Sequence, residues 1–270
     1  MRNITVLALC ATGIAVSQSA SAQLLVDPLE VTLITASQTR VAGAFTVSNT
    51  TDEPVQATIT RQDWDRVENG DNRFLPSGTS GNSCGALLTA SPLSIRVEPH
   101  TSRTIRLATE NASTLTRECW DIFFVEEIPR RSTTSGNSLQ YIFRTGVKVY
   151  VAPPNLTRDG AVENMAVEEV PQTTNVAANA PAATKRQIAI SFHNTGAMNL
   201  LAKGRLEFRR LDNSLAMEVP VPEFATLPGA TRKLSLDVPS GLAPGDYVVL
   251  ALIDFGGAEL VAGQIDYQAK

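Results

Sequence analysis

Few side chains in this 270-residue chain have the types and spacing that covalent chemistry needs. Gly81-Asn82-Ser83-Cys84-Gly85 has the G-x-S-x-G pattern, which in a nucleophile elbow holds a serine on a strained turn between a strand and a helix. Its flanks are a polar Gly/Ser loop and a short LLTAS run ending at Pro92, so no elbow is expected. The only histidines, His100 and His193, sit beside turn signals, Pro99 and Asn194-Thr195-Gly196. A general base needs an oriented partner, and none is signalled near either. In Glu126-Glu127 and Glu168-Glu169 the carboxylates take opposite faces of a strand, so they read as solvated rather than as an acid/base pair. No phosphate-binding glycine loop is present, and the two histidines and the cysteines show no metal spacing. The expectation is therefore no catalytic residue, no metal, no cofactor and no enzyme.

The cysteines point elsewhere. Cys10 lies in MRNITVLALCATGIAVSQSASAQ, where Arg2, an apolar run from Ile4 to Val16 and Ala20-Ser21-Ala22 have the order of a secretory signal peptide. Residues 1–22 would be removed, leaving a chain that begins near Gln23. No later apolar run approaches the ~20 residues that cross a bilayer. The remaining pair, Cys84 and Cys119, is most simply a disulfide in an exported protein. Closing that loop contributes about 3–4 kcal/mol in the chain-entropy treatment. The net charge of −4, with both signs interspersed, lacks the basic stripe that nucleic acid requires.

The elements that must carry these residues are strands. From Leu24 to Pro153, LLVDPLEVTLIT, RVAGAFTVSN, VQATITRQDWDR, LSIRVEP, RTIRLATE, CWDIFFVEEIP and YIFRTGVKVYV alternate apolar and polar residues between Pro, Gly, Asn and Asp breaks. This predicts an immunoglobulin-like sandwich over residues 23–153. After APPNLTRDG, seven further runs predict a second one over residues 154–270, with VPQTTNVAANAPAATK as a loop. The fold class is all-β, two immunoglobulin-like domains in tandem. Trp64 and Trp120 lie in strand-like runs and read as sandwich-core aromatics.

The longest alternating run is LQYIFRTGVKVYVAP, Leu139 to Pro153. Leu139, Tyr141, Phe143, Thr145, Val147, Val149 and Val151 share one face, and Lys148 falls on the other. As one strand it would span on the order of 45 Å, more than twice an ordinary strand. Such a strand spans a whole domain or lends part of its edge to another chain.

Several motifs, in order and spacing, resemble the PapD-like periplasmic pilus chaperones. ASPLSIRVEPHTSRTIRL (Ala90–Leu107), Thr116-Arg117-Glu118 followed by WDIFFVEEIP, and Lys148-Val-Tyr-Val-Ala-Pro153 carry the likeness in the first domain. Ile253-Asp254-Phe255-Gly256-Gly257 is similar to that family's Asn-Asp-Tyr-Gly-Gly turn in the second. The resemblance implies a periplasmic chaperone that lends its last first-domain strand to secreted pilus-type subunits, with an outer-membrane usher as a further partner. It implies that Lys148 holds the subunit's C-terminal carboxylate and that Leu139, Tyr141 and Phe143 enter the subunit groove. Glu118 and Asp254 match members of an interdomain salt bridge.

Two positions depart from the pattern. Glu30 stands where the family carries a second cleft cation, and Ala152 where it has the central arginine of the hinge. The second departure predicts a less fixed angle between domains. The alternative reading is an exported structural or adhesive protein of two immunoglobulin-like domains, with 139–151 an ordinary paired strand.

Overall fold

The computed structural model describes residues 23–35, 40–129, 142–172 and 184–270. The first ten strands are β1 (Leu24–Asp27), β2 (Glu30–Ile34), β3 (Ala42–Asn49), β4 (Val55–Arg66), β5 (Asn72–Leu75), β6 (Leu88–Ser91), β7 (Ser94–Val97), β8 (Ser102–Thr109), β9 (Cys119–Glu127) and β10 (Arg144–Ala152). They form two facing sheets, one in the order β1-β3-β8-β6 and the other β2-β10-β9-β4-β5 with β7 also on β4. Between them lies a core of Phe45, Val47, Ile59, Ile105, Leu107, Phe123, Val125, Val147 and Val149.

LLVDPLEVTLIT, expected as one strand, is two. Pro28 has no N–H to give to a ladder, and there the chain leaves β1, paired with β3, for β2 in the opposite sheet. β5 and β6 were not among the expected strands, although Asn69-Gly70 between β4 and β5 is a strong hairpin signal. Cys84 and Cys119 are disulfide-bonded, with Cα atoms 5.0 Å apart.

The remaining strands are β11 (Ala161–Pro171), β12 (Thr184–His193), β13 (Leu200–Arg210), β14 (Leu215–Thr226), β15 (Thr231–Asp237), β16 (Gly245–Asp254) and β17 (Val261–Ala269). A sheet β11-β12-β15 faces a sheet β14-β13-β16-β17. Ile188, Ile190, Phe192, Leu206, Phe208, Val249 and Ile253 fill the space between. Pro220 and Pro222 are tolerated because β14 is an edge strand. Glu163, Glu168 and Glu169 are exposed on the edge strand β11, where charge opposes further pairing. Most of the expected VPQTTNVAANAPAATK loop lies outside the described residues.

β9 is buried on both faces. Phe123 and Val125 enter the sandwich core. Trp120, Ile122 and Phe124 join Trp64 and Tyr150 in a separate cluster capped by Leu227 of the second domain. The two tryptophans are therefore not sandwich-core residues, as expected, but line the seam between the domains. The sheet's outer face can be this apolar only because a second domain covers part of it.

Candidate functional site

The candidate site is built on β10. One side of this strand runs antiparallel to β9 from Arg144↔Glu126 to Val151↔Cys119. The other runs parallel to β2, but only from Lys148↔Glu30 to Ala152↔Ile34. That ladder opens with Lys148 N donating to Leu29 O at 2.9 Å and closes with Thr35 N donating to Ala152 O at 2.9 Å. Backbone groups of successive strand residues face opposite sides, so even-numbered residues of β10 turn N–H and C=O toward β2. Phe143 keeps the alternation, its C=O accepting from Glu127 N at 3.2 Å on the β9 side. Upstream of Lys148, the backbone of Arg144 and Gly146 is directed to a side where no described strand lies.

Side chains sort in the same way. Val147, Val149 and Val151 point into the sandwich core. Alternation puts Phe143 on the continuation of that row. Phe143 is half-buried and Ile142 is 56% exposed, and neither is in the ladder. The described strand thus begins at Arg144 rather than at Leu139, and Leu139 and Tyr141 themselves lie outside the described residues.

On the outer face, Lys148 Nζ lies 2.9 Å from Glu30 Oε1 and 5.1 Å from the centre of the Trp64 ring. The Arg66 guanidinium lies 5.5 Å from the same ring. The ring's quadrupole favours cations there, and Tyr150 meets its edge at 6.1 Å. Burial holds the Tyr150 phenol above its ordinary range, with the Glu30 carboxylate adding to the effect and Arg66 opposing it. The Lys148 side chain is 18% exposed and that of Glu30 55%. Glu30 can therefore swing into solvent more freely than Lys148, which packs beside the indole. Arg66, at the far end of β4, is a second cation against the Trp64 ring, and no local pattern in the sequence places it there.

The hinge differs from the expectation. Glu118 is buried, and its Oε2 accepts the Asn199 backbone N–H at 2.6 Å across the seam, while Oε1 has no partner among the described residues. Burial pushes its carboxyl to about 7, against that N–H bond. Asp254 does not join it; its Oδ1 instead caps its own turn, accepting from Gly256 N at 2.9 Å. No ion pair joins Glu118 or Asp254 among the described residues, and buried Ala152 stands where the resemblance places the arginine between them. A different contact supports the angle. Glu68 O, in the β4–β5 turn, accepts from Lys233 N at 2.7 Å and Arg232 Nη1 at 2.9 Å, and Lys233 Nζ meets Glu68 Oε2 at 2.5 Å. Gly70, at φ +96°, lets the Arg232 guanidinium lie directly against the turn. The relative placement of the domains is thus held by a turn that sequence reading did not assign to the hinge.

The other chemistry-bearing residues are structural. Ser83 Oγ donates to Asp63 Oδ1 at 2.8 Å or Asp121 Oδ1 at 3.0 Å, and a 3-10 turn follows it. For buried Asp63, burial works to raise the carboxyl, but N–H groups of Ser80 and Gly78 and the Ser83 hydroxyl outweigh it and hold it low. His100 pairs with Asp52 at 2.8 Å and His193 with Thr231 at 3.0 Å. Glu126 meets Arg144 in a surface ion pair. Glu127, expected to be solvated, is instead buried. Among the described residues no cluster of three or more His, Cys, Asp or Glu could hold a metal, and no helix is long and apolar enough to cross a membrane.

Residues 28–157 match the family described as the pili and flagellar-assembly chaperone, PapD N-terminal domain. That domain belongs to the PapD-like chaperone family. The whole chain has the fold of solved fimbrial chaperones. It is similar to the class 5 fimbriae chaperone CfaA at 13% identity and a TM-score of 0.50, over 89% of this chain and 98% of that one. It is also similar to a chain from a chaperone–tip adhesin complex of CFA/I fimbriae biogenesis, at 11% identity and a TM-score of 0.51, over 92% of this chain and 100% of that one. No curated protein matches it in sequence.

Proposed function

We propose that this protein is a periplasmic chaperone that binds secreted pilus-type subunits by lending them the leading part of β10. The observation that carries the reading is the one-sided pairing of β10, whose Arg144–Val147 stretch has β9 on one edge and no described strand on the other. A chain docking there would gain backbone hydrogen bonds from Arg144 and Gly146. Its groove would receive Phe143, Tyr141 and Leu139, the next positions on the apolar row. A partner's terminal carboxylate reaching Lys148 would compete with Glu30 for the ammonium group, which the Trp64 ring helps hold in place. Glu118, bonded across the seam to Asn199, would serve the hinge rather than the client.

The test is co-expression of the exported protein with small β-rich secreted chains encoded beside it, followed by capture from the periplasm. Tyr141→Asp with Phe143→Asp is expected to lose at least ten-fold in client recovered, since each buries a charge in an apolar groove. Recovery equal to wild type would remove the reading and leave an exported structural protein in its place.

A further inference from the structure

The first described residue is held from both ends. Gln23 O accepts from Thr50 N at 3.2 Å and Thr50 Oγ1 at 3.4 Å. Gln23 N and Leu24 N both donate to Glu127 Oε1, each at 3.1 Å. Glu127 is only 8% exposed, and no ion pair meets it among the described residues. Burial pushes its carboxyl up, and only these two neutral N–H groups oppose the push. A buried carboxylate answered by amides alone is poorly compensated. Among the described residues no neighbouring side chain supplies a cation.

The sequence places a small-x-small cleavage signal, Ala20-Ser21-Ala22, immediately before Gln23. Hydrolysis of the Ala22–Gln23 bond breaks C–N, gives the hydroxyl of water to the Ala22 carboxyl and its proton to the Gln23 nitrogen. At neutral pH that amine takes up a further proton, its ordinary pKa being about 8. The atom already 3.1 Å from Glu127 Oε1 then carries a full positive charge. We propose that Glu127 is the receptor for the α-ammonium group of the processed chain, so that removal of the leader completes the N-terminal sandwich. The inference rests on the export reading above, but not on how clients are bound.

The position adds a consequence. Glu127 ends β9, and its own backbone N–H donates to Phe143 O at the base of the segment proposed for lending. The same residue therefore ties the processed N-terminus to the root of that segment. An uncleaved precursor lacks the charge, and its N-terminal domain is correspondingly less stable, which favours an unfolded chain during export.

The test compares three forms of the exported protein: the processed chain, the same chain with one extra N-terminal alanine, and Glu127→Gln. Intact mass first establishes that the processed chain begins at Gln23. Urea unfolding is expected to give a folding constant about ten-fold lower for the extended chain, the scale of a charge-assisted hydrogen bond. Adding the alanine to Glu127→Gln should cost nothing further. A second readout needs no variant. The Gln23 amine, protonated and bound, should resist attack on its own side-chain amide, so loss of ammonia to form the lactam should be slow when folded and fast in urea. An extended chain as stable as the processed one, losses that simply add, or equal cyclisation folded and unfolded would each overturn the proposal. Cleavage at another bond would overturn it too, while leaving client capture as the separate test of the chaperone reading.

Discussion

The two halves of β10 share one sheet, one partner on the β9 side and one alternating pattern, yet they are built differently. From Lys148 to Ala152 the strand has neighbours on both edges and is buried on both faces, by the sandwich core on one and the aromatic seam on the other. From Arg144 to Val147 it has a described neighbour on one edge only, and its outer face carries Arg144 and Gly146. The difference originates in β2, which begins at Glu30 and so cannot cover the strand upstream of Lys148. The paired half holds the domain together. The half-paired end has no described strand to take the outward backbone groups of Arg144 and Gly146, the feature that strand addition would use.

The comparison can be broken most directly by placing a charge in each half. Val149→Asp puts a carboxylate in the fully buried core and should destabilise by about 4 kcal/mol or more, enough to unfold the domain in a urea titration. Thr145→Asp, one row upstream and only half-buried, should shift the midpoint by under about 1 kcal/mol while reducing client capture. Equal stability losses would mean that the halves are not distinct.

The hinge end of the paired half carries its own signature in pH. Glu118 titrates near 7 in the folded protein because of burial, above its ordinary 4.5. The native state therefore keeps a proton that the unfolded chain releases between those values. Stability is greatest below pH ~4.5 as far as this group is concerned, and falls as pH rises through about 7, by on the order of 2 kcal/mol. Asp121, pushed to about 6 mainly by burial against the attraction of Arg61, adds a decline of the same sign. Glu118→Gln should flatten the profile between pH 5 and 8 and be the more stable form at pH 8, as measured by thermal midpoints.

The smallest change in stability is expected at Glu30→Gln. Its ion pair with Lys148 is more than half exposed on the Glu30 side and contributes under about 1 kcal/mol. Capture should rise, because Lys148 no longer has a competing carboxylate. A fall in capture would assign Glu30 a binding role of its own and redraw the cleft.

Much of this was legible in the residues. Alternation located β4, β9, the paired half of β10 and most of the second sandwich, because burial of one strand face imposes a period of two on any sequence. The ordered motifs identified the chaperone family and set Glu30 beside Lys148. Pattern could not separate β1 from β2, since both sides of Pro28 alternate and only the sheet assignment distinguishes them. Nor could it show that Trp64 and Trp120 serve the seam, because a buried aromatic looks the same from sequence whichever layer buries it.

What the sequence alone determined was therefore local: where most strands run and which face of each is apolar. Tertiary structure decided which of those strands has an edge with no described neighbour, that Glu68 and Gly70 hold the second domain, and that Glu127 faces inward onto Gln23. These contacts join residues as far apart as Glu68 and Arg232, 164 positions along the chain. Their strength depends on closure of the whole sandwich, which no local spacing encodes.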